Sequence, residues 1–79
     1  MPWYICLWTE ETIDHVAQHG ITPDEFESVV MKPARTGLTR KTGRHFAEGQ
    51  LEDGRWIFCV YEQIDETYLE PVTAFEVER

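Results

Sequence analysis

The dipeptide Asp53-Gly54 lies between two strand-like runs, Arg44 to Leu51 and Arg55 to Gln63, and no other feature restricts the fold as tightly. Both residues tolerate the positive φ of a two-residue type I′ turn, so the pair predicts a β-hairpin. A turn there sets the register. Glu52 faces Arg55, Leu51 faces Trp56, Gln50 faces Ile57, Gly49 faces Phe58, Glu48 faces Cys59, Ala47 faces Val60, Phe46 faces Tyr61 and Arg44 faces Gln63. One side of this hairpin is apolar, with Leu51, Gly49 and Ala47 against Trp56, Phe58 and Val60. The other mixes Glu52, Gln50, Glu48, Phe46 and Arg44 with Arg55, Ile57, Cys59 and Tyr61, which suits a half-solvated surface.

The apolar side needs a cover, and two capped helices are written upstream. Thr9 caps a first turn of Glu10-Glu11-Thr12, with Trp8 and Ile13 placed as a hydrophobic staple. Ile13, Val16, Ala17 and Gly20 share one face, Asp14, His15, Gln18 and His19 take the other, and Gly20 ends the helix. Thr22, Pro23 and Glu25 form a second start signal, with Ile21 stapled to Phe26 and an apolar face of Phe26, Val29 and Val30. Pro33 stops it. The Gly20-Ile21 link is short enough to force a helical hairpin.

Residues 33–43, holding five Thr and Gly residues, read as a mobile connection. A last strand runs from Tyr68 to Val77, with Pro71 demoting part of it to an edge or bulge; either Tyr68, Val72 and Ala74 or Leu69, Phe75 and Val77 face inward. The opening Met1 to Trp8 reads as a strand rather than a signal peptide. The expected fold is therefore α+β in the order β-α-α-β-β-β, two helices packed on one face of a mainly antiparallel sheet. Seventy-nine residues make this a single domain over 1–79.

Fifteen acids against seven Lys and Arg give a net charge of −8, which repels phosphate and anionic membrane alike. The charge is unevenly spread: residues 31–55 hold six of the seven cations, against three acids. No run approaches a membrane span, and no membrane partner is expected. Cys6 and Cys59 lack a disulfide framework spacing and read as reduced thiols in a cytoplasmic protein.

Trp8-Thr9 before a helix, His19-Gly20-Ile21-Thr22-Pro23-Asp24-Glu25-Phe26-Glu27, Gly43-Arg44-His45, Gly49 ahead of Asp53-Gly54-Arg55-Trp56, and Pro71-Val72-Thr73-Ala74-Phe75 are short motifs. Together they resemble those of the BrnT-like toxins of the RelE/ParE toxin superfamily. The resemblance implies a RelE-like fold and the toxin of a type II toxin–antitoxin pair. It implies a metal-independent endoribonuclease that takes single-stranded RNA and is held inactive by an antitoxin protein.

RNA cleavage without a metal needs a base, an acid and cations for the charge that builds on phosphorus. In the register above, Arg44, Arg55 and Glu48 form the catalytic candidates on one face, the arginines for phosphate and Glu48 as base. Phe46 and Tyr61 are the base-stacking candidates, and Arg35, Arg40 and Lys41 the cations of a loop that grips the backbone. The alternative for the same face is an ordinary half-exposed sheet with a Glu52–Arg55 ion pair. His15 and His19, four residues apart, have metal-ligand spacing but no assured third ligand, and read as a solvated polar face; no metal or cofactor is expected. His45 reads as packed, and Trp3, Trp8, Trp56 and Phe58 as core. Cys59 opposite Glu48 would keep its proton, which argues against a thiolate nucleophile.

The −8 charge, and Glu76-Val77-Glu78-Arg79 where such toxins carry a basic or aromatic segment, motivate a second reading: a non-catalytic relic of the toxin fold that acts as a protein–protein interaction module. Free strand edges also leave a homodimer open.

Overall fold

A computed structural model describes residues 4–78. Trp3, read as core, lies outside the described residues, as does Arg79. The elements are β1 (Ile5–Cys6), α1 (Glu10–Ala17), α2 (Pro23–Met31), β2 (Arg35–Leu38), β3 (His45–Gln50), β4 (Trp56–Gln63) and β5 (Tyr68–Val77). The chain is α+β: two helices pack against a five-stranded, mostly antiparallel sheet of order β1-β5-β4-β3-β2, in which only β1 runs parallel to its neighbour. The expected β-α-α-β-β-β order holds, with one additional strand. Arg35–Leu38, read as part of a mobile connection, instead pairs along β3. No helix among the described residues is long and apolar enough to cross a membrane.

The helix starts form as their sequences require. Thr9 accepts from the Thr12 amide, while the Thr12 hydroxyl accepts from the Thr9 amide. Thr22 and Glu25 make the same reciprocal pair, with Pro23 in the first turn. The first helix is held less deeply than the second. Ile13 stays 38% exposed and only Val16 of α1 is buried. Trp8 turns to α2, edge-on to Phe26 at 5.1 Å, with its indole N–H donating to Glu27 at 2.8 Å.

The Asp53-Gly54 hairpin exists, but its loop has three residues, not two. The Gly54 amide donates to the Leu51 carbonyl at 3.0 Å and the Leu51 amide to the Arg55 carbonyl at 2.8 Å. Gly54 has φ +97°, and no residue other than glycine among the described ones has positive φ, so Asp53 does not enter the conformation that type I′ demands. This is a type I turn closed by a left-handed glycine, and it slides the register by one. Ala47 now pairs with Cys59, Gly49 with Ile57, Phe46 with Val60 and Glu48 with Phe58.

A one-residue slip inverts one strand of a hairpin relative to the other. The inward set of β3 stays as expected, whereas β4 turns over: Ile57, Cys59 and Tyr61 face the helices, and Trp56, Phe58 and Val60 face away. The expected core roles of Trp56 and Phe58 are corrected, since both are only half-buried on the side opposite the helices. The core is Val16, Ile21, Phe26, Val29 and Val30 from the helical layer against Ala47, Ile57, Cys59, Leu69 and Ala74 from the sheet. Gly49 admits α2 at close range, because a Cβ there would meet Val29 Cγ1 at 3.3 Å. In β5 the inward residues are Leu69, Pro71 and Ala74; a register shift beside Val60/Tyr61 switches the alternation, so neither expected set faces inward intact.

Candidate functional site

The surface of the sheet away from the helices is built by alternate residues of four strands. Pairing places Gly37 beside Phe46, Phe46 beside Val60, Glu48 beside Phe58 and Arg35, and Phe58 beside Phe75. Three phenyl rings consequently stack across the sheet. Phe46 lies 4.7 Å from Phe58 at an interplanar angle of 18°, and Phe58 lies 5.3 Å from Phe75 at 26°. Gly37 makes room at one end, since a Cβ there would stand 2.8 Å from Phe46 Cε2. The Arg35 guanidinium sits 5.3 Å from the Phe46 centroid, a cation–π contact.

The far end of this row meets α1. His19 approaches Phe75 edge-on at 6.4 Å, and His15 Nε2 is 2.9 Å from the Thr73 hydroxyl. The two imidazoles lie 5.7 Å apart. They hold α1 to β5, and among the described residues no group of three His, Cys, Asp or Glu side chains converges as a metal site.

Of the expected catalytic set, Glu48 and Arg44 do share the open side and Arg55 does not. Glu48 is 5% exposed and paired with Arg35 at 3.3 Å. Arg44 bonds Glu62 at 2.8 Å, not Gln63, following the shifted register. Arg55 is carried to the helix side by the same shift. There its guanidinium donates to the Gly20 carbonyl at 3.0 Å, Glu25 at 2.5 Å and Asp53 at 2.9 Å, so the expected Glu52–Arg55 pair gives way to a clamp between hairpin and helices. The Asp53 hydrogen bonds raise the Arg55 pKa, and the Arg55 amide and guanidinium hold Asp53 below its ordinary value. The pairing of two arginines on one face, on which the cleavage chemistry was built, is absent.

Of the expected RNA-binding set, Arg35 and Phe46 lie together on the open face. Tyr61 does not join them: it is 6% exposed on the helix side, stacked parallel to His45 at 5.7 Å. Arg40 and Lys41 occupy the exposed β2–β3 turn and form no ion pair among the described residues. Cys59 faces Ala47, not Glu48; burial drives its pKa upward and pushes Cys6 to about 12, so both are inert free thiols.

Sequence reasoning placed Phe58 in the core and left Phe75 open between the two sides of its strand. The signal was present only indirectly, in a Gly54 that serves a three-residue loop as well as a two-residue one. No protein family, curated relative or solved structure matches this chain.

Proposed function

We propose that this chain is a protein-interaction module whose open sheet face docks a cationic polypeptide bearing an apolar surface. The observation that carries this reading is the state of the Phe46–Phe58–Phe75 row. A platform for nucleic-acid bases needs free ring faces. Here each ring face inside the row is taken by the next ring, the Phe46 end by Arg35 and the Phe75 end by the edge of His19. What the row offers outward is a ridge of ring edges, and aromatic side chains beside an arginine make the usual centre of a protein interface.

Electrostatics selects the partner's sign. Arg35 and Arg44 on this face are neutralised by Glu48 and Glu62, and the whole chain carries −8. Phosphate gains little from cations already paired, whereas a basic polypeptide gains from the surrounding field. In the frame of the BrnT resemblance, the partner is the antitoxin. The RNA-cleaving reading retains one supporting observation, that Arg35, Arg44, Phe46 and Glu48 share the open side.

The test is mixing with a basic amphipathic peptide, or co-expression with any small basic protein found encoded beside this one, followed by size-exclusion chromatography and RNA incubation. The expected result is a complex that weakens with salt and is lost with Phe75→Glu, while single-stranded RNA remains intact. No complex, or RNA cutting abolished by Arg44→Ala, overturns the module in favour of the cleaving toxin.

A further inference from the structure

A second concavity lies on the opposite side of the sheet, where α2 ends. It encloses about 510 Å³ between the end of α2, β2 and the adjoining ends of β3 and β4. That volume falls in the range of small-molecule sites. Val30 and Leu38 give it apolar walls, and Tyr4, Thr36, His45 and Tyr61 give it polar ones. None of those four polar side chains has a protein hydrogen-bond partner among the described residues; Thr36 and His45 are exposed, and the Tyr61 hydroxyl, on a residue otherwise 6% exposed, opens to solvent in the groove. Four hydrated polar side chains around one concavity can exchange water for a ligand's polar groups.

The character of that ligand follows from the lining. His45 and Tyr61 lie parallel, at 14°, and stand in register beside Leu38 on the same side of the sheet. The turn joining the wall residues Leu38 and His45 carries Arg40 and Lys41, exposed cations with no acidic partner among the described residues. Arg35, Arg44 and Arg55 are all paired, so Arg40 and Lys41 on this rim, with Lys32 elsewhere, are the cations left without an ion pair among the described residues. Burial also raises the Tyr61 pKa, with Tyr4 adding to it, so the phenol stays a proton donor at neutral pH.

We propose that this groove binds a small aromatic anion, a flat ring bearing a carboxylate or phosphate. The ring lies against the Val30–Leu38 side, and the anionic group takes the Tyr61 and Tyr4 hydroxyls with Arg40 and Lys41 closing over it. The site is separate from the open face, and its occupation does not depend on the docking reading.

Titration of the ¹⁵N-labelled chain with phenyl phosphate and with benzoate tests it, with inorganic phosphate and phenol as controls for charge alone and ring alone. At least one aryl anion is expected to shift the amides of Thr36, Leu38 and His45 with Kd of about 1 mM or tighter. Each control should bind roughly tenfold more weakly or not at all. The tighter of the two names the anionic group. Tyr61→Phe, which keeps the ring, and the double change Arg40→Gln with Lys41→Gln are each expected to weaken binding about tenfold. Groove amides unmoved at about 10 mM, shifts confined to Phe58 and Phe75, or undiminished binding by both variants overturn the proposal.

Discussion

The two sides of the β3–β4 hairpin dispose of their bulk in opposite ways. Toward the helices β3 presents Ala47 and Gly49, small enough for α2 to approach until Val29 is nearly in contact with the Gly49 backbone, and Ile57 and Cys59 are sealed beside them. Away from the helices the hairpin presents Phe46, Phe58 and Trp56, with no element laid over them among the described residues. The covered side gains by excluding water completely. The open side recovers part of that gain by stacking its rings on one another, which hides their faces and leaves their edges. A small domain can therefore keep a stabilising face and a recognition face on the same two strands.

Adjacent residues of β4 test this division most severely. Ile57 is fully buried, so Ile57→Ala should leave a cavity and cost about 3–4 kcal/mol. Phe58→Ala removes a larger side chain that keeps partial exposure and can be replaced by water, and should cost less, about 2 kcal/mol, from two stacking contacts and the area they cover. Urea denaturation measures both. A Phe58 variant as unstable as the Ile57 variant would mean that the open side is a second core and not a recognition surface.

How far such a division is readable beforehand depends on the range of the interactions involved. The caps at Thr9 and Thr22 were legible because their hydrogen bonds close within three residues. The hairpin was legible from Asp53-Gly54. Its register was not, because the difference between a two- and a three-residue loop lies in whether Asp53 or Gly54 alone takes positive φ. Trp56 to Tyr61 is apolar on both alternations, so polarity could not correct the error. Arg35–Leu38 resembles a loop by composition and becomes a strand only by pairing with β3. The site divides along the same line. Phe46, Glu48 and Arg44 were placed on a common side by alternation within one segment, while Arg55 and Tyr61 depended on the cross-strand register and were lost with it.

The open side can also be perturbed without touching its rings. Gly37→Ala would put a methyl 2.8 Å from Phe46 Cε2, and that ring tip must swing away. The contact is with the end of a side chain, so the stability loss should stay below about 1 kcal/mol. Stacking with Phe58 should nevertheless loosen, seen as altered ring-current shifts on Phe58 and weaker partner binding. Unchanged aromatic shifts would show that the row does not depend on the space at Gly37.

The smallest expected effect concerns the helix-side clamp and runs through pH. Asp53 is held below its ordinary 3.8, first by the Arg55 amide and then by the Arg55 guanidinium, and Asp65 below 3.8 by the amides of Tyr68 and Thr67. A carboxyl whose folded pKa is depressed contributes fully above its unfolded pKa and loses that contribution as pH falls through the folded value. Both contributions should therefore be intact above pH 4 and fade only below 3.8. Carbon-detected titration of the two carboxyls should give midpoints under 3.8. Arg55→Gln should move Asp53 part of the way back, because the amide bond persists while the guanidinium goes, and should leave Asp65 where it was. An Asp53 midpoint indifferent to that change would place Arg55 outside the clamp, and would reopen its assignment to the same side as Arg44.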